Sequence, residues 1–185
     1  MKAFRDLVQL LLQLTVMDHP HDFVQLGKET PGPDRAPRRV LGGRGGLPTR
    51  PVRLRNGRYL RVSVALWLAD TPDGRRLKVS DSSYQYQADE QGEQEIFRFD
   101  YLRQPHRLEP AAHLNLYGDL SVPGILPPGK PHSRVHYPTG RVPIEGVIRL
   151  LADDYAVPCA TPDTVWRPVL AASEAAFHEI AHKPS

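Results

Sequence analysis

Only one cysteine, Cys159, stands among the 185 residues. That excludes an intramolecular disulfide framework and any thiolate metal cluster, and it suits a reducing, cytoplasmic setting. Aromatic residues make up 8%, the mean hydropathy is −0.44, and no apolar run approaches the roughly 20 residues a membrane helix needs. The expectation is therefore a chain with no membrane partner. A P-loop is also missing: Gly42-Gly43 and Gly45-Gly46 have neither its spacing nor its Lys-Ser/Thr pair, and no strand is expected before them.

The third absence is of charge of one sign. Between positions 35 and 69 there is no Asp or Glu, while Arg35, Arg38, Arg39, Arg44, Arg50, Arg53, Arg55, Arg58 and Arg61 all fall there. With a total of +3, that stretch carries +9 and the rest carries −6. A cationic block of this kind favours a polyanion such as RNA or DNA, because neutralising phosphates releases counterions whatever the sequence. Of the 24 basic residues 19 are arginine, so a general arginine bias on a solvated surface is the plainer account.

A 20.8 kDa chain with 40% hydrophobic residues is expected to form one domain over residues 1–185 with a real core. At the amino terminus Gln9 and Gln13 break the apolar run and no small-residue cleavage site follows, which argues against an export signal. Phe4, Leu7, Val8, Leu11, Leu14 and Thr15 share one helical face, so residues 2–16 read as an amphipathic helix packed on the core or into a partner's groove. Residues 28–51 hold five prolines and five glycines, and the 28–50 stretch is expected to be a mobile Arg/Gly/Pro-rich loop.

From Pro51 the period becomes two. Val52 and Leu54 lead to Asn56-Gly57, a type I′ hairpin signal, and the return strand sets Leu60, Val62, Val64, Leu66 and Leu68 on one side. Thr71-Pro72-Asp73-Gly74 predicts a second turn. A strand bulged around Ser80–Ser83 follows, then one over 96–103 with Phe97, Phe99 and Tyr101 on a common face. Ala112, Leu114 and Leu116 alternate with His113, Asn115 and Tyr117, and Arg134 and His136 flank Val135. Pro143 opens a helix with Ile144, Val147, Ile148, Leu151 and Tyr155 on its face, ended by Pro158. A last helical segment begins near Asp163, is interrupted at Pro168 and runs on with Leu170, Phe177 and Ile180 as anchors. Strands between terminal helices predict an α+β fold: an antiparallel meander of five or six strands, with an N-terminal helix and two or three C-terminal helices on one face.

If the strands around His113 and His136 pair antiparallel, or lie two apart in one sheet, burial of Leu114, Leu116 and Val135 forces His113, Asn115, Arg134 and His136 onto the other face. Two imidazoles beside a guanidinium suit metal-independent cleavage of a nucleic-acid phosphodiester, as in a ribonuclease-like toxin or defence protein. His113 and His136 would be acid and base. Arg134, Lys130 and Arg141 would steady the phosphate, with Asn115 and Tyr117 lining the site. No cofactor and no metal is expected: His19, His21 and His132 sit in proline-flanked loops with few supporting carboxylates. The alternative is a non-catalytic protein whose 35–61 arginines bind nucleic acid or an acidic partner while the histidines serve the fold.

The run Phe97-Arg98-Phe99-Asp100-Tyr101, the run Pro110-Ala111-Ala112-His113-Leu114-Asn115-Leu116-Tyr117-Gly118 and the run Arg134-Val135-His136-Tyr137-Pro138-Thr139-Gly140-Arg141 before an amphipathic helix resemble a group of uncharacterised bacterial proteins. Some relatives of that group are similar to toxins of toxin–antitoxin modules. The likeness spans about residues 96–157 and leaves the arginine-rich third unmatched. It implies only that the His113 strand and the Arg134–Arg141 segment belong together as a site or a structural signature; a toxin of that kind would have a protein partner such as an antitoxin.

Overall fold

The structure is a computed structural model that describes residues 1–19, 24–32, 36–43, 50–72, 74–105, 110–118 and 135–181. One antiparallel sheet carries the fold. Its strands are β1 (Gln25–Leu26), β2 (Thr30–Pro31), β3 (Pro37–Gly42), β4 (Val52–Arg53), β5 (Tyr59–Thr71), β6 (Gly74–Gln87), β7 (Glu95–Leu102), β8 (Ala112–Leu116) and β9 (Tyr137–Pro138). They lie in the order β1-β3-β5-β6-β7-β8-β9, with β2 on β3 and β4 on β5. The helices are α1 (Lys2–Leu14), α2 (Ile144–Asp153) and α3 (Asp163–Ala181). This is the expected α+β meander with one N-terminal and two C-terminal helices.

Alternation sorts the sheet into two faces. Leu60, Val62, Val64 and Leu66 of β5, Tyr84 and Tyr86 of β6, and Phe97 of β7 are buried in a cluster with Val8, Leu11 and Leu12 of α1, Ile144, Val147, Ile148 and Leu151 of α2, and Trp166 and Leu170 of α3. The opposite face is polar over much of its width. It carries Arg61 and Ser63, then Ser83, Gln85 and Gln87, then Arg98 and Asp100, then His113 and Asn115, each set in register with the next. Ser80 is the extra residue where β6 bulges against Ala65 and Leu66, as the sequence predicted.

Several elements differ from expectation for identifiable reasons. Residues 37–42, expected within a loop, form β3: its ladder to β5 runs from Arg38 opposite Trp67 to Gly42 opposite Ser63, and Leu41 is fully buried. Pro37 sits at the strand's first position, where its missing N–H costs nothing. In α1 the buried set is Val8, Leu11 and Leu12, and Leu7 is exposed, so the core face is turned toward Leu12. The Asn56-Gly57 hairpin closes with three residues instead of a type I′ pair. Gly57 N bonds to Leu54 O and Leu54 N to Arg58 O, with Gly57 alone at positive φ (+80°). That is a type I turn completed by a left-handed glycine. Helix α3 runs straight through Pro168, which early in a 19-residue helix removes one hydrogen bond without ending it.

Candidate functional site

Strand β8 fixes the centre of the site. Ala112, Leu114 and Leu116 face the helices, so His113 and Asn115 project from the other side. The register sets His113 directly opposite Asp100 of β7, Asn115 opposite Arg98, and His113 opposite Pro138 of β9. Tyr137 pairs with Leu114, which leaves the preceding residue, His136, on the His113 side. The rings of His113 and His136 meet edge to face, 4.6 Å apart at 86°.

The two imidazoles are not equivalent. His136 is exposed, whereas the His113 side chain is 5% exposed. His113 Nδ1 lies 3.0 Å from Pro110 O, and because a carbonyl only accepts, Nδ1 carries the proton and donates. Nε2 faces Asp100 Oδ2 at 3.7 Å. That oxygen also accepts from Arg98 Nε at 2.8 Å and from Asn115 Nδ2 at 3.0 Å. Burial works against the Arg98 charge, but the neighbouring Asp100 carboxylate, with Glu95 beyond it, outweighs burial and holds the guanidinium more firmly protonated than usual. Asn115 Oδ1 is buried and accepts no hydrogen bond from a described residue. Tyr117, beneath the Arg98 guanidinium at 5.9 Å, has its hydroxyl pushed up to about 12 by burial and by its hydrogen bond with Glu95.

The structure brings the two expected histidines together. In an in-line displacement at phosphorus the attacking and leaving oxygens lie on opposite sides, and each must come within about 3 Å of its imidazole. Rings in edge contact leave no gap for a phosphate between them. Both His113 nitrogens are also turned inward, to Pro110 and Asp100. His113 is thus buried against these partners, while His136 meets solvent.

Of the other expected site residues, Asn115 and Tyr117 lie beside this centre. Arg141 lies on the helix side of the sheet, against Tyr101 and Phe177, and does not join the histidines. Arg134 and Lys130 lie outside the described residues, as do Arg35 and Arg44 of the basic segment, His21 and His132. Three of the remaining arginines pair with carboxylates: Arg38 with Asp81 at 3.2 Å, Arg39 with Glu29 at 3.3 Å and Arg53 with Asp18 at 3.6 Å. Arg61 reaches the carbonyls of Glu90 and Gln91 and lines, with Arg50, a shallow hollow of about 390 Å³. Arg50, Arg55 and Arg58 are exposed and form no ion pair with a described carboxylate.

Sequence reasoning missed the Asp100–Arg98 pair as the partner of His113, although cross-strand register carried that signal. It also missed Glu145, an acid in the first turn of α2 that is buried and takes a hydrogen bond from the Ser173 hydroxyl. Among the described residues no group of three His, Cys, Asp or Glu side chains is placed to hold a metal ion, and no helix is long and apolar enough to cross a membrane. No family model matches the chain, and no curated protein or solved structure matches it either.

Proposed function

We propose that the chain binds nucleic acid through the arginines of the β4–β5 hairpin and the segment leading into it. The observation that carries this reading is that Arg50, Arg55 and Arg58 are exposed and without a described carboxylate partner, within nine residues of one another. Arg53, on the same hairpin, makes an exposed contact to Asp18 at 3.6 Å. Exposed ion pairs contribute about 0–1 kcal/mol, so exchanging that carboxylate for a phosphate costs little. Arg58 also lies 5.8 Å over the Tyr86 ring, which limits the entropy it loses on contact. The test is fluorescence anisotropy of a labelled duplex across a salt series. Replacing Arg50, Arg55 and Arg58 with glutamine should weaken binding and flatten the log–log salt slope by about 2 to 3, at about 0.9 per phosphate contact. Binding indifferent to salt, or unchanged in the triple variant, removes the proposal.

The exposed imidazole of His136 supports a second reading, in which the chain cleaves a phosphodiester with His136 as its one acid–base group and His113 holding it in place from behind. RNA incubated with a chelator present should then be degraded by the native chain and not by His136→Ala. Equal degradation by both, or by neither, ends this reading.

A further inference from the structure

We infer that Arg141 anchors an oxyanion-binding site on the helix side of the sheet, separate from the arginine hairpin. Two rings fix its guanidinium: Cζ lies 4.8 Å from the centre of Tyr101 on β7 and 4.7 Å from that of Phe177 on α3. Contacts through aromatic faces position a guanidinium without using any of its five N–H donors. No described residue accepts a hydrogen bond from those donors. The residue is half-buried, so the fork is oriented, partly dry and unspent.

The surroundings are short of negative charge. Burial pushes the Arg141 pKa down, with repulsion from Arg103 in the same direction and Tyr84 and Tyr101 acting against both. Arg103 is itself fixed by a 3.0 Å bond from Nε to Val79 O and by the Trp67 ring at 5.4 Å. The Tyr84 hydroxyl is buried and held protonated, and the Glu145 carboxylate is taken by Ser173. An anchored fork with no described carboxylate partner matches an oxyanion gripped in two-pronged fashion by Arg141, with the charge of Arg103 adding attraction. A phosphoryl group and a carboxylate share that chemistry. Tyr101 pairs with Ser82 on β6, whereas the hairpin arginine Arg58 lies over Tyr86. At about 3.3 Å per residue the two sites are some 13 Å apart along that strand.

The experiment titrates inorganic phosphate, and separately acetate, into the full chain at constant ionic strength. It follows the arginine Nε–H resonances, with that of Arg141 identified by its loss in Arg141→Lys. At least one anion should shift this signal saturably and raise the melting temperature; phosphate alone marks a phosphoryl site, and both anions mark a general oxyanion site. Arg141→Lys keeps the charge but not the fork and should bind at least tenfold more weakly. The glutamine triple variant of the hairpin should bind as the native chain does, which separates this site from the nucleic-acid surface. An Arg141 signal unmoved by both anions, an Arg141→Lys chain that binds as well as the native one, or loss of binding in the hairpin variant overturns the assignment.

Discussion

His113 and Asp100 face each other across β8 and β7, with Nε2 and Oδ2 3.7 Å apart and the far imidazole nitrogen bonded to Pro110 O. The exposed His136 ring touches this pair only from outside. Truncating the two histidines should consequently have unequal effects. His113→Ala leaves the Pro110 carbonyl short of its donor and empties a buried side-chain position, and should cost about 1–3 kcal/mol. His136→Ala should stay within about 0.5 kcal/mol of the native chain. Urea midpoints of the two variants measure the difference.

Phe97 is the hub of the aromatic packing between the sheet and the end of α2. Its ring centre lies 5.4 Å from Tyr86, 5.5 Å from Phe99 and 5.3 Å from Tyr155. Phe97→Ala should cost about 3–5 kcal/mol through lost burial and an unfilled cavity, whereas Phe97→Leu should recover more than half of that. Equilibrium denaturation reads both.

Burial pushes the Tyr84 hydroxyl well above the ordinary tyrosine value, with Glu145 acting in the same direction and Arg141 against it. The folded state therefore binds this proton more tightly than the unfolded chain does. Its contribution to stability is complete below about pH 10 and declines as pH rises beyond it. Tyr84→Phe should blunt the alkaline loss of stability. In the native chain, tyrosinate absorbance should show one residue that ionises only on unfolding.

The three-residue hairpin loop rests on Gly57 at φ +80° and on Asn56, which accepts from Arg58 N at 3.1 Å and donates to Tyr86 Oη at 2.9 Å. Gly57→Val forces a β-branched residue into left-handed backbone and should cost about 1–3 kcal/mol. Nothing lies within 4 Å of the Cβ such a residue would carry, so that cost is conformational. Gly57→Asn should cost less, since asparagine tolerates that region, and thermal melts will rank the two.

How far the sequence reached depends on which physical signal each element left in it. Period-two alternation located β5 to β8 and the side to which His113 points, and helical spacing located α2. Alternation reports sidedness but not cover, so it was silent on His113 being sealed while His136 stays open. The strand 37–42 was hidden because only Leu41 contributes a fully buried side chain there, among prolines, glycines and arginines whose ladder partner lies some 25 residues away. Arg141 is near His136 in sequence, and that proximity alone suggests a shared site. After β9 the chain bends to the helix side, with Thr139 N bonded to Ala112 O, and carries Arg141 away. Asp100 was legible as a cross-strand neighbour only once the pairing of β7 and β8 was fixed.

The end of α1 is fastened by residues from far along the chain: Thr15 O accepts from Ala160 N, and Leu14 O accepts from the Thr161 hydroxyl across 147 positions. Closing a loop of that length in an otherwise unstructured polypeptide carries an entropy cost of about 4 kcal/mol, by (3/2)RT ln n, more than two hydrogen bonds return. The clasp therefore forms late in folding, after the meander has drawn its ends together. A ribosome must release the chain past Thr161 before this clasp can close, which leaves the apolar stripe of that helix to be shielded by other means during synthesis.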